Sequence, residues 1–340
     1  MKENPFLTIG IASYNYARFL PRAFEAIKKQ KFSDYEILYS DDGSTDNSVE
    51  VIQSFIKNNP NLRIRLICGK NGGVMENKNR LLKNAQGRYI MLCDADDWME
   101  DDCLEVLCGI AKKTGADQVA GAFQNIDEHG TVLQIQEIPQ NPVKWTWGIH
   151  HATIYNMDII REHGLKMEPD KYPDDVYFNM IFHQYSGKTE FVPKVLYNWY
   201  THSDSASARS ATRSNWNGFE MLKSALSYIA PIYNACKDVV DREQIEYMAL
   251  KVYGLAVFYR NTEQSFHDFL KEYKECHKEM SERFPQYTKN EAYKAIDGKG
   301  YVRARTAKIL WLTGILEKTH LMPLGLWGYW IISKKVTFGI

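Results

Sequence analysis

Two apolar runs in this chain stop abruptly in carboxylates. The first, Tyr35-Glu36-Ile37-Leu38-Tyr39-Ser40, breaks into Asp41-Asp42-Gly43-Ser44-Thr45-Asp46, and the second, Tyr89-Ile90-Met91-Leu92-Cys93, runs into Asp94-Ala95-Asp96-Asp97. Apolar runs of this length read as strands buried on both faces, and charges placed directly after them are costly unless something neutralises them. Ligands of open α/β sheets collect where strands end at their carboxyl tips, so the two breaks point to a site for a nucleotide and a divalent cation.

Between these breaks, strand and helix patterns alternate. Leu7 to Ala12 is a buried-strand run, and Pro21 opens a helix whose Ala23, Phe24 and Ile27 share a face. Ser44, Thr45 and Asp46 form a capping turn before a helix carrying Val49, Ile52, Phe55 and Ile56. Ile64 to Cys68 is a third strand; Asn71-Gly72-Gly73 then turns into a helix from about Val74 to Asn84. Such alternation predicts an α/β fold with a mostly parallel sheet covered on both faces. A helix from about Glu100 to Lys113, a strand near Val119 to Phe123 and a hairpin at Asp127-Glu128-His129-Gly130 follow. An aromatic stretch with Trp145, Trp147, His150 and His151 precedes a helix near Asp174 to Gln184 and a strand from Lys194 to Tyr200. Beyond Thr212 the pattern is helical, with stripes at Phe219, Leu222, Leu226 and Ile229 and at Ile245, Met248, Val252 and Leu255.

A chain of 340 residues exceeds the usual single domain, so a principal domain with appended units is expected, here 1–212, 213–296 and 297–340. Net charge is zero, which excludes a nucleic-acid binder that works through a cationic field over the whole chain. Cys68, Cys93, Cys103, Cys108, Cys236 and Cys276 show neither a disulfide framework nor Cys-x-x-Cys zinc spacing, and read as reduced. Met1-Lys2-Glu3-Asn4-Pro5 lacks the long apolar stretch of a secretory signal, so a cytoplasmic location is expected. After residue 296, Lys299, Arg303, Arg305, Lys308, Lys318, Lys334 and Lys335 face only Asp297 and Glu317. Residues 309–332 are rich in Leu, Ile and Trp, but Glu317, Lys318 and His320 leave too short a run to span a bilayer. Trp311, Trp327 and Trp330 beside this basic flank fit peripheral contact with the inner face of the cell membrane; a helix packed on the protein or across an oligomer fits equally.

The motifs together resemble the family 2 inverting glycosyltransferases, whose nucleotide-sugar domain has the GT-A fold with a Rossmann-like sheet. The matching segments are Ile9-Gly10-Ile11-Ala12-Ser13-Tyr14-Asn15, Asp41 to Asp46, Asn71-Gly72-Gly73 with Lys78-Asn79 where Arg-Asn is commoner, and Asp94-Ala95-Asp96-Asp97. Further on, Tyr172-Pro173-Asp174-Asp175 stands for an acidic pair that is usually Glu-Asp, and Tyr200-Thr201-His202-Ser203-Asp204-Ser205-Ala206-Ser207 is similar to a Tyr-x-x-His-x-x-Ser segment that closes over the diphosphate. The resemblance implies that Ala12, Tyr14, Asp41, Asp42, Lys78, Asp94 and Ala95 bind the nucleotide, and that Asp96, with His202, holds Mn²⁺ or Mg²⁺. It also implies catalysis by Asp174 and Asp175, with Asp175 as the general base. Each residue has a plainer reading as well. Asp41 and Asp42 suit an acidic turn, Lys78 a solvated face, Asp174 and Asp175 a helix cap, and Trp145 and Trp147 either an acceptor wall or core packing.

The expected activity is transfer of a sugar from a nucleoside diphosphate donor, a UDP-sugar, to a hydroxyl of a glycan or polyprenyl-linked acceptor, in surface polysaccharide assembly. A nucleotidyltransferase is the rival among enzymes, since it also needs a nucleotide site and acidic metal ligands. A carbohydrate-binding or membrane scaffold protein of the same fold, without turnover, is the rival outside catalysis.

Overall fold

The structure is a computed structural model, and it describes residues 4–202, 218–258 and 265–333. Ser203 and the rest of the segment after His202, the boundary at 212, and Lys334 and Lys335 lie outside the described residues. Two compact units divide the chain. The first comprises Met1–Ile138, Gly148–Pro169 and Phe178–His202, and the second Pro139–Trp147, Asp170–Tyr177 and Ser203–Ile340.

The first unit is built on one nine-stranded sheet: β1 (Leu7–Ser13), β2 (Tyr35–Asp41), β3 (Ile64–Cys68), β4 (Tyr89–Asp94), β5 (Trp98–Met99), β6 (Gln118–Ile126), β7 (Val132–Gln136), β8 (Thr153–Asn156) and β9 (Thr189–Tyr200). The strand order is β3-β2-β1-β4-β8-β6-β9-β5, with β7 paired to β6. β1 to β4 are mutually parallel, β8 runs against both β4 and β6, and β9 lies parallel to β6, so six of the nine strands point one way. Strand alternation sends neighbouring residues to opposite faces: Ile37, Tyr39, Tyr89, Met91 and Cys93 enter one buried cluster, while Leu38, Ile90 and Leu92 enter the other. Burial on both faces is why these strands are apolar without interruption.

Helices cover the sheet where the pattern placed them. α1 (Leu20–Lys28) starts with Pro21 in its first turn and buries Ala23, Phe24 and Ile27; α2 (Ser48–Asn58) buries Ile52 and Phe55, and Phe55 stacks on Phe24 at 3.9 Å. α3 (Val74–Asn84) follows the Gly72-Gly73 turn, and α4 (Cys103–Thr114) ends on Gly115 at φ 66°, a left-handed cap suited to glycine. The α4 start falls three residues later than the expected Glu100, because Glu100 instead accepts from Asn198 Nδ2 at 2.8 Å and from the Cys103 N–H at 3.0 Å. α5 (Met157–Glu162) follows β8, and α6 (Asp174–His183) precedes β9.

The second unit is helical: α7 (Gly218–Ala235), α8 (Val239–Phe258), α9 (Phe266–Arg283), α10 (Glu291–Lys294), α11 (Ala304–Lys318) and α12 (Met322–Ser333). Leu222, Leu226 and Ile229 on α7 and Ile245, Met248 and Val252 on α8 are buried, as their spacing predicts. The apolar stretch after residue 308 forms two helices, and none of the described helices is long and apolar enough to cross a membrane.

Candidate active site

Strand register sets the site. β1 pairs with β2 so that Ser13 lies opposite Asp41, and with β4 so that Ala12 lies opposite Asp94. The chain builds outward from β1 through β2 to β3, then returns to add β4 on the other side of β1. Such a reversal opens a crevice at the carboxyl ends of the two central strands, where ligands of these sheets sit.

The loops leaving β1 and β2 are stapled together. Asn15 holds φ at 58°, a conformation that asparagine tolerates better than most residues, and its Oδ1 accepts the N–H groups of Thr45 at 2.7 Å and Asp46 at 3.2 Å. Its own N–H donates to Ser44 Oγ at 2.8 Å. Tyr14, one residue earlier, is left 39% exposed at the sheet edge. Asp41 turns back on its own loop: Oδ1 accepts from the Gly43 and Ser44 N–H groups at 3.1 and 2.9 Å, and Oδ2 from Ser44 Oγ at 2.5 Å. Asp42 reaches across to the entry of α3, accepting from the Gly72 and Gly73 N–H groups at 3.0 and 2.8 Å and from the Arg80 guanidinium. Both carboxylates therefore shape turns, and their remaining lone pairs are what a ribose or base could use.

On α3, Asn77 Nδ2 donates to the Ser13 carbonyl at 3.2 Å, tying the helix to the end of β1. Lys78, one residue on, is only 6% exposed, so it does not lie on a solvated face. Arg80, a cation the sequence motif did not single out, is the partner that Asp42 engages.

Beyond β4 three carboxylates crowd together. The Ala95 N–H donates to the Ala12 carbonyl at 3.2 Å and the Asp97 N–H to the Asp94 carbonyl at 3.2 Å, which folds the acidic turn back onto the sheet. Asp97 is 2% exposed; it accepts from the Tyr200 N–H at 2.8 Å and the Tyr197 hydroxyl at 3.0 Å, with His151 Nε2 at 3.6 Å. Asp96 pairs with His202 Nε2 at 2.9 Å. Burial pushes both carboxyls up from the ordinary range. Asp94 adds to this at Asp96, where His202 works against it, and Asp96 and Asp94 add to it at Asp97. Ligand atoms of Asp94, Asp97 and His151 all lie within 4.8 Å of one another, a donor set of two carboxylates and an imidazole that could hold a metal ion.

The sequence singled out Asp96 and His202 as ligands; the structure joins these two directly and brings Asp97 and His151 up beside Asp94. Arg22 also escaped notice. Its guanidinium donates to the Asp96 carbonyl at 2.6 Å and lies over the rings of Trp98 and Tyr200 at 3.9 and 4.0 Å, fixing the acidic turn from below. His202 itself lies among aromatic rings, 4.6 Å from Phe19 and 5.1 Å from Tyr200. His150 faces the core, bonded to the Tyr155 hydroxyl at 3.0 Å. Trp145 and Trp147 are 4% and 6% exposed, which agrees with core packing, the second of their two readings. Asp174 and Asp175 occupy the first turn of α6, in the part of that helix assigned to the second unit.

The sequence model of glycosyl transferase family 2 matches residues 8–188, more than half of the chain. The chain belongs to glycosyl transferase family 2. Chondroitin synthase of Pasteurella multocida (strain Pm70) is 28% identical to this glycosyltransferase over 230 residues, covering 66% of this chain and 23% of that protein. Chondroitin synthase of Escherichia coli is 25% identical over 242 residues, covering 67% and 33%. This family 2 glycosyltransferase thus spans a quarter to a third of the length of these curated relatives. Among solved structures, S. aureus TarS 1-349 in complex with UDP-GlcNAc superposes with a TM-score of 0.68 at 13% identity, covering 92% of each chain. The mannosyltransferase PcManGT from Pyrobaculum calidifontis, in complex with GDP-Man and Mn²⁺, gives 0.53 at 11% identity over 98% of this chain and 88% of that one. The glycosyltransferase has a GT-A fold with helices following it.

Proposed function

We propose that this family 2 glycosyltransferase moves a sugar from a UDP-sugar donor to a hydroxyl of a glycan or lipid-linked acceptor, inverting the anomeric carbon, in surface polysaccharide assembly. The observation that carries the reading is the crowding of Asp94, Asp96 and Asp97 at the β1–β4 crevice, with two of the three carboxyls pushed up by burial. Ionised together where a diphosphate would sit, these acids call for a cation between them. The TarS complex with UDP-GlcNAc and the PcManGT complex with GDP-Man and Mn²⁺ support the donor class and the metal.

The residues fit such an ion. Asp94, Asp97 and His151 supply the converging donors, and Asp96 with His202 stands beside them. When bound, Mn²⁺ or Mg²⁺ would stabilise the negative charge that develops on the departing nucleoside diphosphate. In this reading Tyr14 packs on the base, Asp41 and Asp42 accept from ribose or base, Ala12 and Ala95 let the nucleotide approach the backbone, and Lys78 offsets pyrophosphate charge. Asp175, next to Asp174, takes the proton of the acceptor hydroxyl as its oxygen bonds to the anomeric carbon and the bond to phosphate breaks.

Calorimetric titration with a panel of nucleotide sugars, with and without Mn²⁺, tests the donor. UDP compounds should bind, more tightly with the ion; binding by none of them would overturn the assignment. Turnover should release a nucleoside diphosphate, whereas pyrophosphate would mark a nucleotidyltransferase. Asp175→Asn should keep donor affinity and lower kcat by about 10²-fold to 10⁴-fold, the usual worth of a general base. Unchanged turnover would remove Asp175 from that role.

A further inference from the structure

The second unit ends, among the described residues, in α11 and α12, joined through Thr319, His320 and Leu321. The two helices are closely locked: the Leu321 N–H donates to the Leu316 carbonyl at 2.8 Å, and a side chain at Gly325 would collide with Leu316. One face of the pair belongs to the protein, with Ala307, Leu310, Thr313, Met322 and Leu326 buried. The other face stays open. Leu312, Ile315, Leu321, Leu324 and Trp327 are between 38% and 66% exposed, far more apolar surface than scattered single residues would leave. Arg305 and Lys308 continue the stripe of Leu312 and Ile315 at helical spacing, and Lys318 lies at its other end; all three are exposed.

The charge of this surface differs from that of its sequence. Glu317 is the one acid between residues 304 and 333, and its side chain is only 4% exposed. It accepts hydroxyls from Tyr253 at 2.5 Å, Tyr287 at 2.9 Å and Tyr293 at 3.2 Å. With Glu317 drawn inside, residues 304–333 present no exposed acid.

We propose that this hairpin docks on an anionic lipid bilayer, with Leu321, Leu324 and Trp327 at headgroup depth and Arg305, Lys308 and Lys318 against lipid phosphates. An amphipathic surface with exposed cations flanking leucine and tryptophan is what interfacial binding uses, and its charge complements that of anionic lipid. A two-fold contact between copies would set the same cations against themselves. Trp330 plays no anchoring part, because its ring packs on Phe266 at 5.8 Å.

Flotation of the full chain with vesicles tests the proposal. The protein should rise with vesicles containing phosphatidylglycerol and stay behind with phosphatidylcholine alone, and its tryptophan emission should shift to the blue only with the former. Lys308→Glu with Lys318→Glu should weaken recovery by roughly tenfold or more, since each surface cation is worth about fivefold. Leu324→Glu with Trp327→Glu should abolish it. Unchanged UDP binding shows that the variants remain folded, and the milder pair Leu312→Ser and Leu324→Ser gives the same readout should the glutamates prevent folding. Equal recovery with neutral vesicles, or indifference to both sets of substitutions, would overturn the proposal. So would concentration-dependent self-association that Leu324→Glu removes, which would assign the face to a second copy.

Discussion

Asp97 lies beside Asp94, Asp96 and His151 yet is shut off from water, so its ionised form depends on the Tyr197 and Tyr200 donors and on any cation that arrives. A carboxyl whose pKa is raised on folding is protonated in the native state at pH values where the unfolded chain has already released its proton. Without metal, stability contributed at Asp96 and Asp97 is therefore lost as pH rises from the ordinary carboxylate range through the raised values. Mn²⁺ must displace those protons, so its affinity should climb with pH over the same window, and calorimetry in two buffers of different ionisation enthalpy should count protons released. Affinity indifferent to pH would speak against these carboxyls as the site. Asp96→Asn should reduce Mn²⁺-dependent donor affinity by roughly tenfold or more, read by the same titration. That Asp94, Asp96 and Asp97 gather at the end of β4 was legible in the sequence because they follow a strand directly. Their partners were not: Tyr197 meets Asp97 across 100 positions and Arg22 meets Asp96 across 74, and no local pattern encodes such contacts. Arg80 was nearer, and the signal that could have found it was a second cation one helical step past Asn77.

Among the strands, Glu36 does for β1 to β4 what the Asn15 staple does for the loops. Buried at 0% exposure, it accepts from Thr8 on β1 at 2.8 Å, from Arg65 on β3 through two nitrogens at 3.0 Å, and from the Gln86 N–H ahead of β4 at 2.8 Å. Glu36→Ala would take the acceptor from the Thr8 hydroxyl and the Gln86 N–H while Arg65, a third exposed, keeps access to water, so it should cost about 1 to 3 kcal/mol in urea unfolding. Gly73 enters α3 at φ 85°, with its own N–H and that of Gly72 directed at Asp42. Gly73→Ala meets no atom within 4 Å but must keep that φ, and should cost about 1 to 3 kcal/mol in the same assay. The βα alternation through β4 could be read from apolar runs and turn residues, because each unit is local. The insertion of β8 between β4 and β6 could not, nor could the pairing of two-residue β5 with β9, since both depend on strands that meet far along the chain.

At the scale of the whole chain, zero net charge conceals an uneven distribution, and the sequence showed the basic end plainly. What it could not show was that the tyrosines of α8 and of the segment before α11 would take Glu317 out of solvent. Binding also acts on the whole molecule. Mn²⁺ present at a hundredfold over its dissociation constant should stabilise the folded chain by about 2.7 kcal/mol in thermal or urea unfolding, and chelation should remove that gain. A chelator without effect on the liganded protein would count against a metal-dependent site.

β1, β2 and β4 arrive at the crevice flush, with Ala12, Asp41 and Asp94 one rung apart at most. Side chains in a strand alternate sides, so a single residue inserted into any of the three would swing its final group to the far surface of the sheet. Chains of this fold should therefore keep these strand lengths nearly constant and place changes of length in the segments that connect the strands.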